Sequence, residues 1–133
     1  MCIRDSFEGK HITLQACRLD PKPIQNPHIP MIIGGHSKAG FRRAARFGSG
    51  WYGFNLSPEA TRTVLADLDL ALAAENRSRD GFEIVITPMP NATPDQIAEY
   101  EDLGVDRLVL HLGSQRPEKI TQRLEQVQAF IRS

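Results

Sequence analysis

Four consecutive residues, Gly34-Gly35-His36-Ser37, carry the most legible chemistry in this chain. They follow the apolar run Met31-Ile32-Ile33 and open a segment with helical spacing. A glycine pair lets the backbone lie close against a ligand. A helix starting just behind it offers unpaired N–H groups and the positive end of its dipole to an anion. The ligand best served there is a phosphate-bearing cofactor, and a tight strand-to-helix turn is the plainer use of the same glycines. His36 and Ser37 can add contacts to the anion, or simply cap the helix. Gly53 and Phe54 end the next apolar stretch on the same side. Gly53 either admits a planar ring or bends the chain before Ser57. His111, near the end of the last apolar stretch, is the one isolated histidine placed to touch a substrate, unless it is a core or rim histidine with bonds of its own. No residue is singled out as catalytic.

Other chemistries find no support. Cys2 and Cys17 form neither a disulfide framework nor a metal spacing, and His11 and His28 have no ligand partners at useful distance, so no metal is expected. There is no nucleophile elbow, Walker loop or Cys/His cluster. Arg42, Arg43 and Arg46 fall on one helical face and read as solvated charge. Lys+Arg and Asp+Glu are equal at 16 each, which gives no electrostatic case for nucleic acid or an anionic membrane surface. No apolar run approaches the roughly 18 residues of a membrane span, and no apolar h-region marks a signal peptide. A cytoplasmic location is the default expectation. Hydrophobic residues make up 41% and charged residues 24% of the 133, ordinary for one globular domain.

Elements that could position these residues follow from pattern. Phe7 to Leu19 alternates and reads as a hairpin turned at Gly9-Lys10. Asp20 to Pro30 holds Pro21, Pro23, Pro27 and Pro30 and reads as an extended connector. Met31–Ile33 is predicted to be a strand buried on both faces. A helix is predicted from Ser37 to Phe47, with Ser37 as N-cap and Gly48 as the residue past its end. Trp51–Phe54 is strand-like, with Trp51 a core or rim aromatic. Ser57-Pro58-Glu59 starts a long helix with the apolar stripe Ala60, Val64, Leu65, Leu68, Ala71 and Leu72. Phe82–Thr87 is a β-branched strand. The Pro88-Met89-Pro90 loop should line the ligand end and give it shape. Thr93 and Gln96 have capping-box spacing, and Ile97, Tyr100 and Leu103 follow on one face up to Gly104. Val105–Leu112 is expected to be the strongest strand. A last helix spans Pro117–Ile131, with Ile120, Leu124, Val127 and Ile131 inward.

Strand and helix thus alternate four times after the connector, which means a parallel sheet with right-handed crossovers. Four such units fit half of an eight-stranded (β/α) barrel or a small open sheet.

The run Pro21-Lys22-Pro23 to Pro30, then Ile32-Ile33-Gly34-Gly35-His36-Ser37, Arg43-Ala44-Ala45-Arg46 and Gly48-Ser49-Gly50-Trp51-Tyr52-Gly53, resembles the luciferase-like monooxygenase superfamily. Within it the likeness is greatest to coenzyme F420-dependent oxidoreductases. The resemblance implies an α/β fold: the C-terminal half of a TIM-type (β/α)8 barrel over residues 7–133, preceded by a hairpin and a proline-rich connector. It also implies that Gly34, Gly35, His36, Ser37, Gly53 and Phe54 contact the cofactor. Ser49 stands where relatives carry an aspartate, a departure expected to affect the helix–strand corner rather than chemistry. The residues Met1-Cys2-Ile3-Arg4-Asp5-Ser6 fit neither the family nor the hairpin and read as a non-native remnant joined to a truncated frame.

Three functions are compatible with this reading. One is a fragment of an oxidoreductase passing hydride between coenzyme F420 and a small organic molecule. Another is a fragment of an FMN-dependent luciferase-like monooxygenase, since both cofactors carry phosphate. The last is a non-catalytic phosphate-binding half-barrel. Its open sheet edges and bare inner face would favour a homodimer or other self-association.

Overall fold

The computed structural model describes residues 5–18, 20–26, 28–90, 92–111 and 116–131. An exposed hairpin comes first. Strands β1 (Asp5–Glu8) and β2 (Thr13–Cys17) pair antiparallel around a turn closed by the Gly9 N–H donating to the Ile12 carbonyl at 2.9 Å. The turn therefore spans Gly9–Ile12, wider than the expected Gly9-Lys10 corner. The first strand also starts at Asp5, ahead of the expected Phe7. Ser6 belongs to the hairpin by hydrogen bonding as well: its Oγ accepts the Ala16 N–H at 3.0 Å where the register shifts.

The rest of the fold is the expected alternation. Strands β3 (Ile32–Gly34), β4 (Gly50–Leu56), β5 (Glu83–Pro88) and β6 (Arg107–Leu108) lie side by side in chain order, each pair parallel. Helices α1 (Lys38–Phe47), α2 (Pro58–Ala74) and α3 (Pro94–Asp102) connect them, and α4 (Pro117–Ile131) follows the last. Helix starts follow the sequence grammar. Ser37 Oγ accepts the Gly40 N–H and Ser57 Oγ the Ala60 N–H, each at 3.2 Å. Thr93 and Gln96 form the reciprocal capping box. Gly104, with φ +74°, ends α3 in the left-handed conformation that favours glycine. Gly48 differs from expectation: its φ is −84°, so it caps α1 in extended backbone. Glycine is needed there for space, because a Cβ would stand 2.7 Å from the Ala44 carbonyl oxygen.

The two faces of the sheet have different fates. Ile33, Trp51, Ile84, Ile86 and Leu108 point to the helices and pack with Phe41, Ala44 and Ala45 of α1, Leu65, Leu68 and Leu72 of α2, and Tyr100 of α3. Alternation sends Ile32, Tyr52, Phe54, Val85, Thr87 and Val109 to the opposite, inner face. There Ile32 is 39%, Phe54 58% and Val109 44% exposed. The strand expected to be buried on both faces is thus covered on one: only Ile33 packs, because β3 is an edge strand whose inner side has no second layer.

The expected strong strand Val105–Leu112 shrinks to Arg107–Leu108. Its hydrogen bonds run further, since the Asp106 N–H donates to Ile84 and the Val109 N–H to Ile86. As the other edge, the segment has one neighbour to pair with, and β-branched composition alone does not extend a ladder. Leu112 lies outside the described residues. In α4, Ile120 and Val127 are half-buried but Leu124 is 47% exposed. Arg123, next to it, donates from Nη2 to the Pro90 carbonyl at 3.2 Å. The apolar stripe of α4 is therefore only partly inward.

Polar side chains tie the rim where the strands begin. Arg79 grips Asp69 with two bonds of 2.8 and 2.9 Å and donates to the Leu103 carbonyl at 3.2 Å. Arg77 donates to the Ala45 carbonyl and lies over the Phe82 ring. Asp106 Oδ2 accepts the Ile84 N–H at 2.7 Å.

Candidate functional site

At the opposite rim, where the strands end, the chain leaves β3 through Gly35 and enters α1 within a few residues. Gly35 has φ +119°, a conformation that L side chains rarely adopt. Immediately behind it, Gly40 of α1 approaches so closely that a Cβ there would lie 2.9 Å from the Gly35 oxygen. The turn is open on its other side. A Cβ on Gly34 would meet nothing nearer than Tyr52 at 3.8 Å, and one on Gly35 nothing nearer than Gly40 Cα at 3.9 Å. The first-turn N–H groups of α1 that no helical carbonyl can reach are partly used: Ser37 Oγ takes that of Gly40.

Two side-chain bonds fix this turn to β4. Trp51 Nε1–H donates to the Gly35 carbonyl at 2.9 Å. The Phe54 N–H donates to His36 Nε2 at 3.1 Å. Nε2 is therefore the unprotonated nitrogen and the ring proton sits on Nδ1. The imidazole also packs against the indole, with ring centroids 5.8 Å apart and planes at 51°. Phe41 meets the indole edge-on at 5.8 Å.

The expected cofactor residues divide. Gly34, Gly35, His36 and Ser37 form one turn beside Phe54 at the strand ends. Phe54 is exposed on the inner face, where a planar ring could lie against it. Gly53 points elsewhere. A Cβ on it would lie 2.6 Å from Trp51 Cη2, 2.7 Å from Leu56 Cδ1 and 2.8 Å from Ile86 Cδ1. The absent side chain faces the helix layer, so glycine is required here by core packing rather than by a ligand on the inner face. His111 is exposed beyond β6, at the sheet edge opposite β3. Pro88 is buried at the end of β5 and Met89 is 44% exposed just after it. Ser49 lies at the far rim, where its N–H donates to the Met31 carbonyl at 2.8 Å and its Oγ accepts the Met31 N–H.

Two inner-face groups were not singled out from sequence. Tyr52 hydroxyl and Thr87 Oγ1 are 2.7 Å apart, and Thr87 is buried. The alternation in Trp51-Tyr52-Gly53-Phe54 was the available signal, since it places Tyr52 and Phe54 together opposite Trp51. Behind the site, Tyr100 donates its hydroxyl to the Leu56 carbonyl at 2.6 Å. Burial, aided by the Glu99 carboxylate, raises its pKa above the ordinary 10.0.

Among the described residues no group of three or more His, Cys, Asp and Glu comes together to hold a metal ion. No described helix is long and apolar enough to cross a membrane.

The sequence model of a family described as luciferase-like monooxygenase matches residues 4–129. An uncharacterized protein of Mycobacterium tuberculosis is 29% identical over 127 residues, covering 96% of this chain and 42% of its own length. The chain thus spans less than half of that relative. Among solved structures, an F420-dependent secondary alcohol dehydrogenase in complex with an F420-acetone adduct matches with TM-score 0.55 at 18% identity, over 75% of this chain and 30% of that one. The coenzyme F420-dependent tetrahydromethanopterin reductase of Methanopyrus kandleri matches with TM-score 0.51 at 17% identity, over 62% and 23% respectively. EDTA monooxygenase from Chelativorans sp. BNC1 is 27% identical over 97% of this chain and 28% of that one, with TM-score 0.46. The four parallel βα units are part of a TIM-barrel fold.

Proposed function

The chain belongs to the luciferase-like monooxygenase family, and from that premise we propose that it forms part of an oxidoreductase using coenzyme F420 to exchange hydride with a small organic substrate. The observation that carries this reading is the Gly34–Ser37 turn. It lies at the carboxyl end of a parallel strand, opens α1, and leaves nothing nearer than 3.8 Å to a Cβ on Gly34 or 3.9 Å to one on Gly35. Barrel enzymes bind their ligands at that end, and a helix start favours phosphate.

The residues present fit a phosphate-bearing cofactor. The backbone of Gly34, Gly35 and His36 and the hydroxyl of Ser37 would hold the phosphate, and Phe54 would give one apolar wall beside it. A bound deazaflavin or flavin supplies the redox chemistry itself. The part played by this chain is to bind and orient. Trp51 draws the Gly35 carbonyl into the core, away from an anion that it would repel. In a planar trans peptide the following N–H then points the other way, so that His36 N–H faces outward. F420 is preferred to FMN on the resemblance of residues 21–53, and two solved structures that share the fold, with TM-scores of 0.55 and 0.51, are F420-dependent by name.

A fluorescence titration with F420, and FMN in parallel, tests this. Gly34→Val adds a β-branched side chain on the inner face, in a strand that accepts one. Saturable F420 binding that the variant weakens at least tenfold supports the reading. Binding of FMN alone moves it to an FMN-dependent monooxygenase. Binding of neither by the folded chain refutes it for these 133 residues. A second reading, self-association, is favoured by the exposure of Ile32, Phe54 and Val109 on the inner face.

A further inference from the structure

We infer that His36 and Trp51 act as positioning residues, a two-point clasp that sets the β3–α1 turn, and that His36 is not a direct ligand of the anion through Nε2. The inference deepens the proposed cofactor site and rests on that reading for its functional half.

The geometry assigns both ring nitrogens' neighbours unevenly. β3 pairs with β4 only as far as Gly34 opposite Tyr52. Beyond that point β3 turns away at Gly35, and the Phe54 N–H has lost its ladder partner on that side. His36 Nε2 takes the place of the missing carbonyl at 3.1 Å. A nitrogen that accepts a backbone N–H holds no proton to give to a phosphate. The side chain therefore extends the ladder by one bond and pins the start of α1 to the end of β4.

Trp51 acts from the other side. Its indole is fully buried against Phe41, and its N–H reaches the Gly35 carbonyl at 2.9 Å. Gly35 is the residue with φ +119°, so its flanking peptides have the freedom to rotate. The indole removes that freedom by fixing one carbonyl. The imidazole and indole rings touch, so each bond holds the partner of the other in place. Together they hold the turn in the orientation that presents N–H groups outward before any ligand arrives, which lowers the ordering cost of binding.

The test uses His36→Ala and His36→Gln in the full chain, since a Gln Oε1 reaches about as far as His Nε2 and also accepts. Amide hydrogen exchange is read at Phe54, whose N–H His36 accepts, and F420 affinity is measured beside it. A net hydrogen bond corresponds to roughly a 3- to 10-fold effect. The clasp predicts that His36→Ala speeds Phe54 exchange by about that factor and weakens F420 by a similar factor, while His36→Gln stays within about twofold of wild type in both. Trp51→Phe, which removes the Gly35 bond and part of the ring surface behind the imidazole, should also speed Phe54 exchange. Unchanged Phe54 exchange in His36→Ala overturns the clasp. So does an equal loss of F420 affinity in the Gln and Ala variants with Phe54 still protected, because that is the signature of direct contact. If wild type binds no cofactor the proposed function fails, and the exchange comparison still decides whether the clasp exists.

Discussion

Gly53→Ala separates core packing from ligand approach at a residue where both were plausible from sequence. The added methyl would sit 2.6–2.8 Å from Trp51 Cη2, Leu56 Cδ1 and Ile86 Cδ1. Trp51 and Ile86 are fully buried, and Leu56 nearly so. The leucine and isoleucine tips can rotate, but the indole is held by its bond to Gly35 and by Phe41, so the strain passes toward the turn. Overpacking of this kind costs about 1–3 kcal/mol. Replacing a strand glycine by alanine returns roughly 0.5–1 kcal/mol of backbone entropy. The net expectation is a loss of about 1–2 kcal/mol, or roughly 3–8 °C in Tm for a chain of this size. Urea unfolding followed by tryptophan fluorescence measures it, and Trp51 is the single tryptophan. The midpoint should fall with the slope unchanged. Gly34→Ala is the control, since its methyl meets nothing nearer than 3.8 Å and should shift stability by less than about 0.5 kcal/mol. A Gly53→Ala variant as stable as wild type would refute the packing argument and return Gly53 to the ligand face.

Thr61 is fully buried in α2 and its hydroxyl has no hydrogen-bond partner among the described residues. Thr61→Val should therefore be neutral or more stable by up to about 1 kcal/mol in the same urea assay. Tyr100→Phe removes the bond to the Leu56 carbonyl and should cost about 1–2 kcal/mol. The pKa of Tyr100 is raised in the folded chain, so its contribution is complete below the ordinary 10.0 and fades as pH climbs through the folded value. Wild-type stability should thus fall above about pH 10 more steeply than that of Tyr100→Phe, as read by denaturant midpoints across pH. The exposure of Ile32, Phe54 and Val109 on the inner face predicts concentration-dependent association by light scattering, reduced by Phe54→Ser; a monodisperse monomer at all concentrations would count against it.

Local chemistry was legible in the sequence because its causes are local. Ser37, Ser57 and Thr93 cap the helices they precede, and the glycine turn falls where the spacing places it. Edge position was not legible. Nothing within Val105–Leu112 says that it has a neighbour on one side, and its apolar residues would suit a central strand equally well. The same blindness affected Met31–Ile33 and Leu124, whose exposure depends on what covers them rather than on what they are. The residues of the candidate site were legible one by one, but their contacts with each other were not. His36 and Trp51 meet only because β4 runs beside β3, a relation that spacing along the chain does not encode.

The rims of the sheet divide their labour. Arg77, Arg79 and Asp106 cross-link the end where strands begin, reaching carbonyls and amides in neighbouring units. The bonds at the opposite end, from Trp51 to Gly35, Phe54 to His36 and Tyr100 to Leu56, hold backbone groups and leave the exposed side chains of Phe54 and Met89 outside the scaffold. Substitutions of exposed side chains at one end can change what the frame recognises, while the cross-links at the other keep the chain folded. Laboratory diversification should follow the same partition: libraries at Phe54 and Met89 should retain folded members far more often than libraries of equal size at Arg79 and Asp106.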